Sequence, residues 1–200
     1  SEIKDKVKEK LIISIAAGVK TSYIEKMLPD VRVIRVMPNI AAKIAEGMSC
    51  LTQGKSASQD DLDFTEDLFN DLGATLIISE SMMNAATAIS GSGPGFFYDF
   101  IEGKKLDDNV KKDFENQLIN AAKDISFDEE QAHILAHTTV NGSVALLKQS
   151  GLSAAELKKQ VTSKGGTTEA GLEILDKGGS LEEAVKAALK RSQKLCKEKL

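Results

Sequence analysis

Apolar positions follow two different rhythms along the chain, and the change falls near Ser79. Before it, short apolar runs alternate with stretches of helical period. Leu11–Ile15 is a continuous run closed by Ala16-Ala17-Gly18, the pattern of a buried parallel strand. Ser22 stands three residues before Glu25, a capping box that predicts a short helix through Leu28. Pro29-Asp30 breaks that helix, and Val31–Val36 predicts a second strand stopped by Pro38. Glu46–Thr52 reads as a third strand and Ala74–Ser79 as a fourth. Between them, Ser58–Leu72 is an amphipathic helix with Leu62, Leu68, Phe69 and Leu72 inward and Gly73 at its end. Strand–helix alternation of this kind predicts an α/β unit on a mostly parallel sheet.

After Ser79 no stretch reads as a strand. Capping boxes recur at Ser126/Glu129, Ser153/Glu156 and Ser180/Glu183. The spacing predicts helices over 82–89, 95–123, 128–149, 153–160, 168–177 and 181–198. The 95–123 helix would carry Phe96, Phe100, Val110, Phe114 and Leu118 near one face. A stripe that long asks for a partner outside its own small bundle, so this half is a candidate dimerisation module, with a self-contained bundle as the alternative. The fold class is α/β followed by all-α.

Composition narrows the functional classes. The 200 residues are 42% hydrophobic and 28% charged with a net charge of −4, enough apolar material for a core and too much for a disordered chain. Arginine occurs only at 32, 35 and 191, and the lysines are scattered among glutamates, so no nucleic-acid surface is expected. The longest apolar run, Leu11–Ala17, is too short to span a bilayer, and no membrane association is expected. Cys50 and Cys196 form neither a disulfide framework nor a metal site, which suggests a reduced, cytoplasmic setting. No metal is expected: His133 and His137 are four apart on a helix, but Ile134 stands where an H-E-x-x-H motif needs glutamate. The Asp60–Asp67 acidic run lacks the glycine and spacing of a calcium loop and reads as a solvated helix face.

Three loops exceed what packing requires. Met37-Pro38-Asn39 follows a strand, where ligands of open α/β sheets bind, although Pro-Asn is also common turn chemistry. Ser90-Gly91-Ser92-Gly93-Pro94 offers close backbone approach and a hydroxyl at a helix start, or is an ordinary hinge. The third loop, Val161-Thr162-Ser163-Lys164-Gly165-Gly166-Thr167-Thr168, is the most informative. Its four hydroxyls exceed the needs of one cap, and the amides of Gly166, Thr167 and Thr168 would hold a small carboxylate at the positive end of the next helix.

Taken in order, these pieces resemble the pyrroline-5-carboxylate reductase family. The matching stretches are Ile12–Gly18, Val33-Ile-Arg-Val-Met-Pro-Asn39, Thr87-Ala-Ile-Ser-Gly-Ser-Gly-Pro94 and Leu157–Asp176 with Ala170-Gly171-Leu172. The resemblance implies the last step of proline biosynthesis: hydride transfer from NADP or NAD as cofactor to the C=N carbon of 1-pyrroline-5-carboxylate. It implies the C-terminal part of a Rossmann-like parallel-sheet domain over 1–80 and a helical dimerisation and substrate-binding domain over 81–200. Thr168 would be catalytic, bonding the ring nitrogen. Gly165, Gly166, Thr167, Thr168, Gln160, Val161, Gly151, Ser92 and Gly93 would meet the substrate. Ala16, Ala17, Met37, Pro38 and Asn39 would meet the nicotinamide end of the cofactor. The family also implies a homodimer whose active site forms across subunits, with further assembly left open.

Three departures from the family pattern carry expectations of their own. The family's opening strand, G-x-G-x-x-G turn and first helix have no counterpart here, and Ser1–Lys10 reads as the tail of a helix before Leu11. The chain is therefore expected to act as a fragment that binds free NAD(P)H poorly and is itself inactive, or as a relative that dimerises and binds proline-like ligands without turnover. Gly103–Gln117 reads as an insertion of about four turns, either an extended dimer arm or, given Lys104-Lys105 and Asp107-Asp108-Asn109, a polar loop. Lys164 stands where the family usually has proline, which would loosen the loop or add positive charge near the substrate.

Overall fold

In the computed structural model, which describes residues 6–198, the four apolar runs of the first half are strands. They are β1 (Leu11–Ser14), β2 (Arg32–Pro38), β3 (Gly47–Gln53) and β4 (Gly73–Ile77), in one sheet of order β1-β2-β3-β4. The helices α1 (Thr21–Met27) and α2 (Gln59–Asn70) connect β1 to β2 and β3 to β4, and both pairs are parallel. The central β2–β3 pair is antiparallel, with Pro38 opposite Ser49 and Ile34 opposite Gln53. Only residues 39–46, holding the 3-10 turn Ile40–Ile44, separate these strands, which is too short for a crossover. Asn39 closes that turn: its Oδ1 accepts from the amides of Ala41 and Met48, each at 3.2 Å.

Three expected details of this half differ. Ser22 and Glu25 do not box α1; Thr21 donates its amide and hydroxyl to Glu80 at 3.1 and 2.8 Å, while Glu25 accepts from the Ser56 amide. A distant carboxylate wins because Glu80 is already fixed by an ion pair with the buried Arg35 of β2. On α2, Leu62 and Phe69 pack with Ile34, Val36 and Leu51, but Leu68 and Leu72 face outward, 46% and 38% exposed. Leu62, Thr65 and Phe69 share one stripe at i, i+3 and i+7, and Leu68 lies off it. The expected helix tail over Ser1–Lys10 lies partly outside the described residues; Val7–Lys10 form turns, with Glu9 at φ 59°.

The second half holds α3 (Met83–Ala86), the π-helical turn Thr87–Gly91, α4 (Gly93–Ile101), α5 (Asp108–Asp124), α6 (Glu129–Ser150), α7 (Ala154–Val161), α8 (Thr167–Leu175) and α9 (Leu181–Glu198). The expected continuous helix over 95–123 is two helices: of the 103–117 stretch, only the part before Asp108 is a polar loop, and residues 108–117 are the first part of α5. Gly103 turns the chain at φ 74°, and Asp107 caps α5 by accepting from the Val110 amide at 2.9 Å. The helices then fold back on each other, bringing Phe114 to 5.3 Å from Phe97 and 5.2 Å from Phe100 between ring centres. The Ser126/Glu129 box is also replaced. Asp128 caps α6 through the Gln131 amide, and Glu129 pairs with Lys123 and His133. The boxes at Ser153/Glu156 and Ser180/Glu183 form as read.

One large core runs from Met48 and Cys50 of β3 through Phe96, Phe97, Leu118 and Leu135 to Val185, so the sheet and the helices share their apolar interior. His133 and His137 are exposed beside Glu129 and Glu115. Among the described residues, no helix is long and apolar enough to cross a membrane.

Candidate functional site

The loop that the sequence singles out is built from both ends. The Ser153/Glu156 box starts α7, whose last turn is closed by Thr162 Oγ1 donating to the Lys158 carbonyl at 2.7 Å. A tight turn follows, with Gly165 at φ 69° and the Gly166 amide donating to the Ser163 carbonyl at 2.9 Å. A side chain at 166 would put Cβ 2.8 Å from the Ser163 carbonyl oxygen, a backbone overlap that rotating the Ser163 side chain does not relieve, so the turn favours glycine there. The next residue begins α8. Its N-cap is Gly166 and no side chain caps it, which leaves the positive end of the helix dipole to whatever lies in front.

In front lies a cavity of about 220 Å³. Gly166, Thr167 and Thr168 form one wall with Val161 and Ser163. Ala17 and Gly18, after β1, and Met37, next to last in strand β2, form the wall toward the sheet. Thr87 and Gly91 of the π turn and Ser192 and Leu195 of α9 complete it. The π turn is held by the Ser92 amide donating five residues back to the Thr87 carbonyl at 2.9 Å, and such widened turns often aim residues at a site.

Thr168 is 4% exposed, and its hydroxyl makes no hydrogen bond among the described residues. Its methyl sits against Gly95, where an added Cβ would lie 2.4 Å from Thr168 Cγ2 and 3.0 Å from Val161 Cγ2. Thr167 Oγ1 accepts from the buried Ser92 hydroxyl at 2.9 Å, joining the second and third loops. The cavity wall thus offers an uncapped helix start to a small anion and a free hydroxyl to any neighbouring hydrogen-bonding group.

Of the residues expected at the site, Ala17, Met37, Val161, Gly166, Thr167 and Thr168 meet on this wall, and Ser92 stands one bond behind it. Others lie elsewhere. Gly93 packs on Thr139, and Gly165 sits behind the turn. Gln160 faces outward and accepts from Lys43 at 3.2 Å, and Gly151 is the left-handed cap of α6 at φ 69°. Ala16 is exposed beside Ser14, Pro38 pairs with Ser49 at the end of β2, and Asn39 gives its Oδ1 to its own turn while its buried Nδ2 has no partner among the described residues. The Gly166 amide, expected to hold a carboxylate, is engaged by Ser163. Gly18, Thr87, Gly91, Ser163, Ser192 and Leu195 on the wall, and Gly95 behind it, are not among the expected site residues. Gly95 had a signal, as the third glycine of the Gly91–Gly95 run, whereas nothing in the α9 pattern marks Ser192 or Leu195.

Ala17 and Gly18 follow β1, and Met37 lies near the end of the neighbouring parallel strand β2, so this small, largely apolar surface sits at the carboxyl ends of strands, where open α/β sheets bind ligands. The family model described as pyrroline-5-carboxylate reductase dimerisation matches residues 80–198. A pyrroline-5-carboxylate reductase of Methanosarcina acetivorans is 37% identical over 203 residues, covering 99% of this chain and 70% of that protein. One from Synechocystis is 36% identical over 191 residues, covering 94% and 66%. The crystal structure of Plasmodium falciparum pyrroline carboxylate reductase with NADP bound matches 97% of this chain and 74% of its own, at 32% identity and a TM-score of 0.57. The Coxiella burnetii enzyme matches with the same TM-score at 31% identity, covering 97% and 69%. The chain belongs to the pyrroline-5-carboxylate reductase family.

Proposed function

We propose that the cavity in front of α8 is where 1-pyrroline-5-carboxylate is held for reduction to L-proline. The observation that carries this is the uncapped start of α8 opening on the cavity beside the free Thr168 hydroxyl. The substrate carboxylate lies on the first-turn amides of Thr167 and Thr168, where the helix dipole favours negative charge. The Thr168 hydroxyl bonds the ring nitrogen and so fixes which face of the C=N bond is presented. Val161 and Met37 exclude water from the reacting carbon. Ala17, Gly18 and Met37 would border the nicotinamide of NAD(P)H, which when bound supplies the hydride. Residues 80–198 serve as the homodimerisation part, in line with the description of the family model that matches them.

A second reading has its own support. The 200 residues contain no G-x-G-x-x-G turn, the usual pyrophosphate cradle. By themselves they then dimerise and bind proline-like ligands without turning over free cofactor. A fluorescence titration separates the two: weak NADPH binding fits the second reading for this chain, and tight binding removes it.

The site assignment is tested by calorimetry with the product, L-proline. Thr168→Ala should weaken binding by about threefold to tenfold, the worth of one hydrogen bond, while Thr168→Ser keeps most of it. Equal affinity in all three proteins would overturn the role given to Thr168.

A further inference from the structure

The turn that delivers α8 to the cavity is held from outside by two charged side chains, neither of which lines the cavity. Arg191 of α9 donates from Nε to the Gly165 carbonyl at 2.7 Å. Glu169, in the first turn of α8, accepts from the Gly165 amide at 2.6 Å through Oε2. Both peptide groups of one glycine are thus gripped, from two helices, by groups of opposite charge. Hydrogen bonds to charged groups are roughly twice as strong as neutral ones.

The grip falls where the chain is otherwise loosest. Gly165 sits at φ 69°, and the adjacent Gly166 serves as an N-cap with no side chain to bond the helix start. A serine or aspartate cap would fix that start but would also occupy the amides that a ligand needs. External support from Arg191 and Glu169 aims the amides and leaves them open. Arg191 is well placed for it, because Ser192, the next residue, is itself on the cavity wall and is anchored to Asn84 at 2.9 Å.

We infer that Arg191 is a positioning residue for carboxylate recognition, with Glu169 as its counterpart on the other side of Gly165. The inference rests on the carboxylate reading proposed above. The Arg191 clamp sets how strongly the site prefers a ring that carries a carboxylate over one that does not.

The test compares the affinity of the 200-residue chain for L-proline and for pyrrolidine, the same ring without the carboxylate, by NMR titration. In the unsubstituted chain L-proline should bind the more tightly. Arg191→Met should lower L-proline affinity about tenfold and leave pyrrolidine nearly unchanged, whereas Arg191→Lys, still able to donate to Gly165, should recover part of the loss. Glu169→Ala reads the same clamp from its other side and serves if Arg191→Met fails to fold; it too should shrink the L-proline preference. A preference that survives either substitution in a folded protein overturns the positioning role while the carboxylate site stands. No L-proline binding by the unsubstituted chain overturns the site reading itself, and the clamp's role with it.

Discussion

At the scale of single residues, the site depends on what is missing as much as on what is present. Gly95 is helical and not in a left-handed conformation, so alanine there would gain about 1 kcal/mol of helix propensity. Its Cβ would instead meet Thr168 Cγ2 at 2.4 Å and Val161 Cγ2 at 3.0 Å. Both neighbours are β-branched and stiff at χ1, so the overlap cannot be relieved cheaply. Gly95→Ala should therefore destabilise the chain by about 1–3 kcal/mol in urea denaturation and weaken L-proline binding; a gain in stability would show that the two side chains move aside freely. Asp61 gives a pH-dependent case. The Ser58 amide and then its hydroxyl, with Arg32 at 2.6 Å, hold the Asp61 carboxyl below its ordinary value of 3.8. A folded-state value below the unfolded one stabilises fully above the unfolded value, and the benefit disappears as pH falls through the folded value. Asp61→Asn should cost about 1 kcal/mol at pH 7, as a helix cap does, and progressively less as pH falls below 3.8. An equal cost above and below that pH would rule out the charged cap.

Secondary structure was legible where the signal is local and obscured where a distant group competes. The Ser153 and Ser180 boxes needed only a serine and a glutamate three residues on, and both formed. The Ser22 box had the same letters and lost to Glu80, which no local pattern could announce. The Asp107 cap is masked by a stripe of aromatic residues that suggests continuity across 95–123, and the Asp128 cap by the neighbouring Ser126/Glu129 pair, which has the letters of a box. That stripe exists, but it is made by two helices folding together around Phe114 rather than by one. The exposed Lys104 and Lys105 then lie in a loop between α4 and α5. Limited trypsin digestion of the native protein should cut there first, separating α4 from α5, whereas resistance at both lysines would contradict the break.

For the molecule as a whole, one face of the sheet shares its core with the helices of the second half, while α2 covers Ile34, Val36 and Leu51 on the other. The cavity sits where the two halves meet. The sheet-side wall, from Ala17 to Met37, was readable as loops after strands. The Gly-Gly-Thr-Thr wall was readable from its surplus of hydroxyls. The α9 wall was not, because Ser192 and Leu195 reach the cavity only once α9 packs along α8, a contact between segments whose letters do not announce it. What unites these walls is the uncapped start of α8, aimed into the space they enclose. The most direct measurement is an amide-resolved NMR titration of the isotopically labelled chain with L-proline. The backbone amides of Thr167 and Thr168 should shift most, with smaller changes at Ala17 and Met37, and pyrrolidine should leave the two threonine amides in place. Saturating L-proline that left Thr167 and Thr168 unmoved, or that shifted residues around Gly151 and Gln160 instead, would contradict the account.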